Sequence, residues 1–274
     1  MMKFLKKALL HFILPVAAII AGYGFHWIAG TALLFAYVGY IFYANLPSVY
    51  MLIGQVKYNK GTMDETIKWF GKAYKTGRAK PQLGISYGYL MLKNAQVDES
   101  EKVFNEILKT KLSEDDKMLV KSNIALVLWK KGKLDEAVEL LETIHKDFKT
   151  TNLYGSLGYL LILKGDLDRA LEFNLEAYEY NNSNSIILDN LGETYYHRRA
   201  YDKAEEIYEK LMENKPSFPE AYYHYALVLS KKEDYQKALE MIKKALTFTI
   251  TFLSSVSREE IEKKAEEIEK YVNK

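Results

Sequence analysis

Positions 8 to 56 of the chain contain no Asp, Glu, Lys or Arg, and charged residues return only from Lys57 onward. A bilayer core of ~30 Å takes ~20 helical residues, so this apolar run is too long for one crossing and suits two. Gly22, Tyr23 and Gly24 form a turn-prone interruption, which predicts a helical hairpin with spans at residues 4–21 and 27–46. Pro15 is expected to kink the first span, and the pairs Ala17/Ala21 and Ala32/Ala36 supply small residues where two helices can approach. Lys3, Lys6 and Lys7 precede the hairpin, Lys57 and Lys60 follow it, and the turn carries only His26. Basic flanks are retained on the cytoplasmic side, so residues 1–46 are expected to enter the lipid bilayer with the N-terminus and the rest of the chain in the cytoplasm. Tyr23, Phe25 and Trp27, and at the other end Tyr40, Tyr43 and Tyr50, suit the two interfaces. A cleavable signal over residues 1–30 is the weaker reading, because the second apolar run would still anchor the chain. An interfacial helix would need a charged face that neither segment has.

Beyond the hairpin the pattern repeats. Small residues recur at Gly54, Gly88, Ala125, Gly158, Gly192 and Ala226, at spacings of 34, 37, 33, 34 and 34. A second column, Thr66, Ser100, Ala137, Ala170, Ala204 and Ala238, follows it in step. Two helices that cross closely need such positions, so each unit reads as a helix pair. Six units follow, at residues 47–80, 81–114, 118–150, 151–184, 185–218 and 219–252, with an insertion around Ser113 to Lys117. Gly61, Gly132 and Gly165 fall in the turn within a unit, and Asp64, Asp98, Asp135, Asp168 and Asp202 fall in the first turn of the second helix, where the helix dipole favours them. Thr62 with Glu65, and Ser257 with Glu260, have capping-box spacing. Pro47, Pro81, Pro216 and Pro219 mark unit junctions, where helices are expected to end. Residues 257–274 carry a narrow apolar stripe of Ile261, Ala265, Ile268 and Val272, as a capping helix over the last unit would. Residues 247–256 read as an irregular extension or a short loop.

The pattern resembles the tetratricopeptide repeat over residues 47–252, most closely at Leu191, Gly192, Tyr195, Ala204, Tyr208 and Pro216, and again at Tyr154, Leu157, Gly158, Gly165, Ala170 and Ala177. The resemblance implies an all-α fold, a right-handed α-solenoid of about six helix pairs. It also implies that the first helix of each unit lines a concave groove in which protein or peptide ligands lie. The family register places Tyr58, Tyr89, Leu92, Trp129, Tyr159, Ile162, Tyr196 and Tyr223 on that surface. Members that clamp a C-terminal carboxylate use groove lysines and asparagines; Asn123 and Asn190 match, but the lysines do not. Rings also glue repeats together, so each of these residues has a packing role open to it as well as a ligand role.

Composition narrows the chemistry further. Lys and Arg (38) nearly balance Asp and Glu (36), which gives no global field for nucleic acid. There is no cysteine, hence no disulfide, thiolate nucleophile or cysteine zinc site. His11, His26, His145, His197 and His224 are scattered, with no pairing that marks a metal site on one helix face, and no phosphate loop or nucleophile elbow occurs. No cofactor, metal or enzymatic activity is expected. The expected role is a membrane-anchored scaffold or adaptor that recruits a protein, with a regulatory or quality-control subunit of a membrane enzyme as the alternative.

Overall fold

The computed structural model describes residues 12 to 272, and regular structure among the described residues is helical throughout. The chain forms two compact units, Met1–Gly84 and Ile85–Lys274. Residues 1–11, which hold Lys3, Lys6, Lys7, His11 and the start of the first expected span, lie outside the described residues.

In the first unit, α1 (Leu14–Phe25) packs against α2 (Trp27–Asn59) as an antiparallel pair, with the Phe12 and Tyr37 rings 6.5 Å apart. Pro15 occupies the first turn of α1, where its missing N–H costs no helical bond. The break falls at His26, not at Gly22 to Gly24: its backbone is extended and its Nδ1 accepts from the Ile28 N–H at 3.2 Å. A helix end needs its orphan N–H groups satisfied, and His26 does this where glycine offers nothing. Gly22 and Gly30 form the close crossing, since a side chain on Gly22 would sit 3.2 Å from the Gly30 backbone.

Many apolar side chains of this pair are uncovered: Ile20, Phe25, Trp27 and Phe35 are 66%, 91%, 68% and 72% exposed. Among the described residues, α2 is the helix long and apolar enough to cross a membrane, while α1 is shorter. No helix boundary falls at Pro47, which lies inside α2. Proline cannot donate to the carbonyl four residues earlier, that of Tyr43. Arg78 fills this gap: its guanidinium donates to the Tyr43 carbonyl at 2.7 Å and stacks 3.6 Å over the Tyr43 ring. With the freed carbonyl satisfied, the helix runs on and its second half pairs with α3 (Met63–Lys75), the Phe70 ring covering Gly54. Between them, the Thr62 hydroxyl donates to the Lys57 carbonyl at 3.0 Å, so the expected capping box with Glu65 does not form.

α4 (Pro81–Lys93) runs across the division between the units. The second unit continues with α5 (Val97–Leu108), α6 (Glu114–Lys130), α7 (Leu134–His145), α8 (Thr151–Lys164), α9 (Leu167–Tyr180), α10 (Ser185–His197), α11 (Tyr201–Glu213), α12 (Pro219–Lys231), α13 (Tyr235–Ala245) and α14 (Arg258–Val272). Within each pair the small residue of the first helix meets a fixed position on the second: Gly88 meets Phe104, Gly158 meets Asn174 and Gly192 meets Tyr208. Ala125 with Leu141, and Ala226 with Ile242, hold the same offset in the core. Ser100, a member of the second small column, is fully buried, and its hydroxyl donates to the Gly88 carbonyl at 2.7 Å, which removes the cost of the buried polar atom.

The turns of the second unit share one conformation. Gly132 and Gly165 have φ of +79° and +81°, and Ala95, Arg199 and Glu233 take positive φ at the matching register without being glycine. The recurring aspartates do more than favour the helix dipole. Asp98 pairs with Lys131 at 2.7 Å, Asp135 with Lys164 at 2.6 Å, Asp168 with Arg198 and Asp202 with Lys232 at 2.6 Å, each bond linking one repeat to the next. These pairs are exposed, so they serve registration more than strength. At the end of the array α14 packs on α13, burying Ile261 and Ile268. Its capping box forms as expected: the Ser257 N–H donates to Glu260 at 2.7 Å and the Glu260 N–H to the Ser257 hydroxyl at 3.2 Å.

A methyl group on Gly192 would lie 2.6 Å from the Tyr208 ring. Gly192→Ala is therefore expected to destabilise the fold by about 1–3 kcal/mol. Ala95→Gly removes a left-handed strain of about 1 kcal/mol and is expected to raise stability. Unfolding followed by circular dichroism checks both directions.

Candidate protein-binding groove

In the second unit α8 touches α10 and α10 touches α12, so the first helices of successive repeats lie side by side. The side chains they present together form two groups, one aromatic and one ionised.

The aromatic group lies on α6 and α8. The Trp129 ring meets the Tyr159 ring edge-on at 5.4 Å, and the Lys130 ammonium stands 3.7 Å over Trp129. A third ring comes from residues 247–256, which link α13 to α14: Phe252 stands 5.0 Å from the same ammonium. This linker is ordered by its neighbours. The Phe248 ring stacks on Tyr222 at 5.3 Å where it begins, and Val256 is buried where it ends. Between these anchors a turn is closed by Ser254 N–H to Thr251 carbonyl at 3.0 Å. From the turn the Phe252 N–H donates to the Lys93 carbonyl at 3.4 Å, and the Ser255 N–H donates to a Glu220 carboxylate oxygen at 3.1 Å. The linker thus crosses from α12 to α4 and brings the Ser255 side chain beside Tyr159. Burial pushes the Tyr159 phenol well above its ordinary range, and the nearby Glu193 carboxylate adds to this. Burial likewise pulls the Lys130 ammonium down, opposed by Glu220.

The ionised group is buried between α10, α11 and α12. His224 Nδ1 lies 3.1 Å from Asp189 Oδ1, and its Nε2 lies 3.9 Å from Glu193 Oε1. The Tyr208 hydroxyl donates to Asp189 at 3.1 Å, and His197 Nε2 stands 3.6 Å from Glu193. Burial alone would strip the proton from His224, but Glu193 and then Asp189 outweigh it and push the ring up to about 9. Burial also raises Asp189. Against its own burial, Glu193 is held below the usual carboxylate range by His224 and His197. Asn190 adds a fixed contact, its amide donating to the Gly155 carbonyl at 2.8 Å. Among the described residues no group of three or more His, Asp or Glu has the geometry to hold a metal ion.

Of the residues expected on the groove, Trp129, Tyr159, Tyr196 and Tyr223 are half-buried and Tyr89 is 39% exposed. Leu92 is 0% and Ile162 6% exposed, so both belong to the core and offer no surface to a ligand. Both lie on the first helix of a unit, Leu92 three residues after Tyr89 and Ile162 three after Tyr159, an offset of about 60° around the helix that turns them toward the packed side. Tyr58 lies in the first unit and is 40% exposed. Asp189, Glu193 and His224 did not stand out in the sequence, although Glu193 and His197 are four apart on one helix and the repeat period brings His224 beside Asp189. Nothing in the sequence pointed to the linker's path.

The His224 ring titrates at 6.5 when free and at about 9 when folded, so it contributes stability that is present in full below 6.5 and lost as pH rises through 9. Unfolding measured at pH 6, 7.5 and 9.5 is expected to show a loss of up to about 3 kcal/mol across this window. The change His224→Gln is expected to flatten it.

Residues 122–185 match the tetratricopeptide repeat family, and residues 197–254 match the family described as anaphase-promoting complex, cyclosome, subunit 3. The TPR repeat-containing protein YvcD of Bacillus subtilis is 27% identical over 137 residues, which are 50% of this chain and 28% of YvcD. The TPR repeat-containing protein MJ1428 of Methanocaldococcus jannaschii is 25% identical over 129 residues, 47% of this chain and 22% of that protein. The chain thus spans well under half the length of either relative. In fold it is similar to a tetratricopeptide repeat protein from Parabacteroides merdae, with a TM-score of 0.65 at 13% identity, covering 93% of this chain and 98% of that one. It is also similar to a chain of the APC/C hetero-tetramer Cut9-Hcn1, with a TM-score of 0.64 at 14% identity, covering 81% of this chain and 42% of that one. Residues 122–185 thus match the tetratricopeptide repeat, and the fold of the helical array is similar to that of a solved tetratricopeptide repeat protein.

Proposed function

We propose that the protein is a membrane-anchored adaptor: residues 1–46 enter the bilayer, residues 47–252 form the repeats that hold a protein partner on their inner face, and residues 257–274 cap the array. The observation that carries this reading is α2, a single helix whose first part exposes apolar side chains and whose last part pairs with α3 as the opening repeat. An apolar rod left bare in this way has no purpose in water and suits lipid. The flanking lysines support a cytoplasmic position for both ends. The solenoid fold supports protein recognition, as does the similarity of residues 197–254 to a named subunit of a multiprotein complex. Trp129 and Tyr159, with Tyr89, Tyr196, Tyr223 and Tyr58 as further candidates, are the proposed contacts.

Topology is open to a direct test, because the chain has no cysteine of its own. Gly24 has open space around it, so Gly24→Cys is tolerated sterically. That thiol is expected to react with an impermeant reagent from outside the cell and one at Lys274→Cys is not; labelling of both from one side refutes two crossings.

For the groove, rings that anchor a partner lose on the order of 2 kcal/mol each on truncation. The double change Trp129→Ala with Tyr159→Ala is expected to abolish capture of the native partner from solubilised membranes while helical content survives. Undiminished capture by the folded variant refutes the assignment. Deleting residues 1–46 is expected to leave capture intact; a subunit that docks through its hairpin would lose it.

A further inference from the structure

The inner face of α4, α6, α8 and α12 is already occupied by the chain itself. Residues 247–256 could have joined α13 to α14 by a short path over the end of the array, since those helices are in contact. Instead the linker reaches back across the solenoid to the Lys93 carbonyl on α4. Its contacts are those by which an extended ligand is recognised. Phe252 gives the Lys130 ammonium a second ring, 5.0 Å away, beside Trp129 at 3.7 Å. The Ser255 N–H satisfies the Glu220 carboxylate, and the Ser255 side chain meets the Tyr159 hydroxyl. The hold is shallow. Phe252 remains 37% exposed, and the turn that carries it is anchored at its two ends, by Phe248 and Ile250 on one side and Val256 on the other. A segment with fixed ends and a lightly held tip can leave the face without unfolding the repeats.

We propose that the turn at residues 251–255 is an internal ligand that blocks the Trp129, Lys130, Tyr159 and Glu220 site, and that a partner binds by displacing it. The proposal rests on the adaptor reading and specifies the partner's chemistry: a protein segment that offers an aromatic ring to Lys130 and a free backbone N–H to Glu220. Tethering gives the internal turn a high effective concentration, so a partner must exceed its affinity or reach the site when the turn is open.

The test uses the full chain in lipid nanodiscs and a fluorescein-labelled cyclic peptide containing residues 250–255. The wild type is compared with a variant in which residues 251–255 are replaced by Gly and Ser at equal length. The expected result is that the variant binds the peptide about ten-fold or more tightly than the wild type does. Adding Trp129→Ala to that variant is expected to remove the gain. Equal affinity in wild type and variant, including no binding to either, overturns the proposal. Circular dichroism checks the fold of the variant, and Phe252→Ala, which leaves both anchors in place, carries the same comparison with a smaller expected gain. If the native partner binds wild type and loop variant equally while the peptide discriminates between them, the blocking role is overturned; the adaptor reading then still stands or falls on the Trp129 and Tyr159 double change.

Discussion

In each repeat two helices cross at one point where a residue with little or no side chain faces a larger one from its partner, and the geometry of the array depends on that contact. Gly192 lies against the Tyr208 ring, Gly88 against Phe104 and Gly54 against Phe70. Close approach at such a point sets the crossing angle, and the crossing angle sets how the next pair must stack. The remaining recurring features follow from it. A short turn must join helices held so close, which places one residue of each such turn at positive φ whether or not it is glycine. The same stacking brings the aspartate of one unit within reach of the basic residue that ends the first helix of the next. Where the ring is replaced by Asn174, polar bonds take over: its amide donates to the Thr194 hydroxyl at 3.1 Å, a partner on the following repeat.

The start of the array obeys a different constraint. An apolar helix that continues into a repeat helix has to pass Pro47 without breaking, and the lost backbone bond there is replaced by the Arg78 guanidinium on the Tyr43 carbonyl. Arginine suits this place because one planar group both donates to the carbonyl and stacks on the adjacent ring. The apolar part of α2 and the first helix of the repeats are therefore one continuous helix.

The inner face of the second unit combines a rigid wall with a lightly held occupant. The Asp189, Glu193 and His224 cluster is buried, and removing the His224 ring takes away the cation that both carboxylates share in a low dielectric. It fixes α10 and α12 relative to each other beside the aromatic group. The linker that lies over Trp129 and Tyr159 has exposed surface and few bonds. Such a division, with firm supporting helices under a segment of low local stability, is the arrangement expected of a recognition face whose occupant changes.

Much of this was legible in the sequence, because repetition makes local signals redundant. The small-residue columns, the turn glycines, the first-turn aspartates, the apolar run and the Ser257 to Glu260 cap each reflect a requirement met within a few residues of chain, and six copies of a weak pattern read as a strong one. Three things escaped it. The break at His26 and the passage through Pro47 were decided by single hydrogen bonds, one of them from Arg78, 35 positions from the carbonyl it satisfies. Leu92 and Ile162 lie three residues after Tyr89 and Tyr159, a small angular offset around the helix whose outcome, lining or core, packing settles. The path of residues 247–256 has no local cause at all: it is set by where Lys93, Lys130 and Glu220 come to lie once the repeats have stacked, and no pattern along the chain encodes a contact between positions 93 and 252. Helices and their order follow from periodicity, which is local; what the inner face holds follows from superposition of distant repeats, which only the folded array brings about.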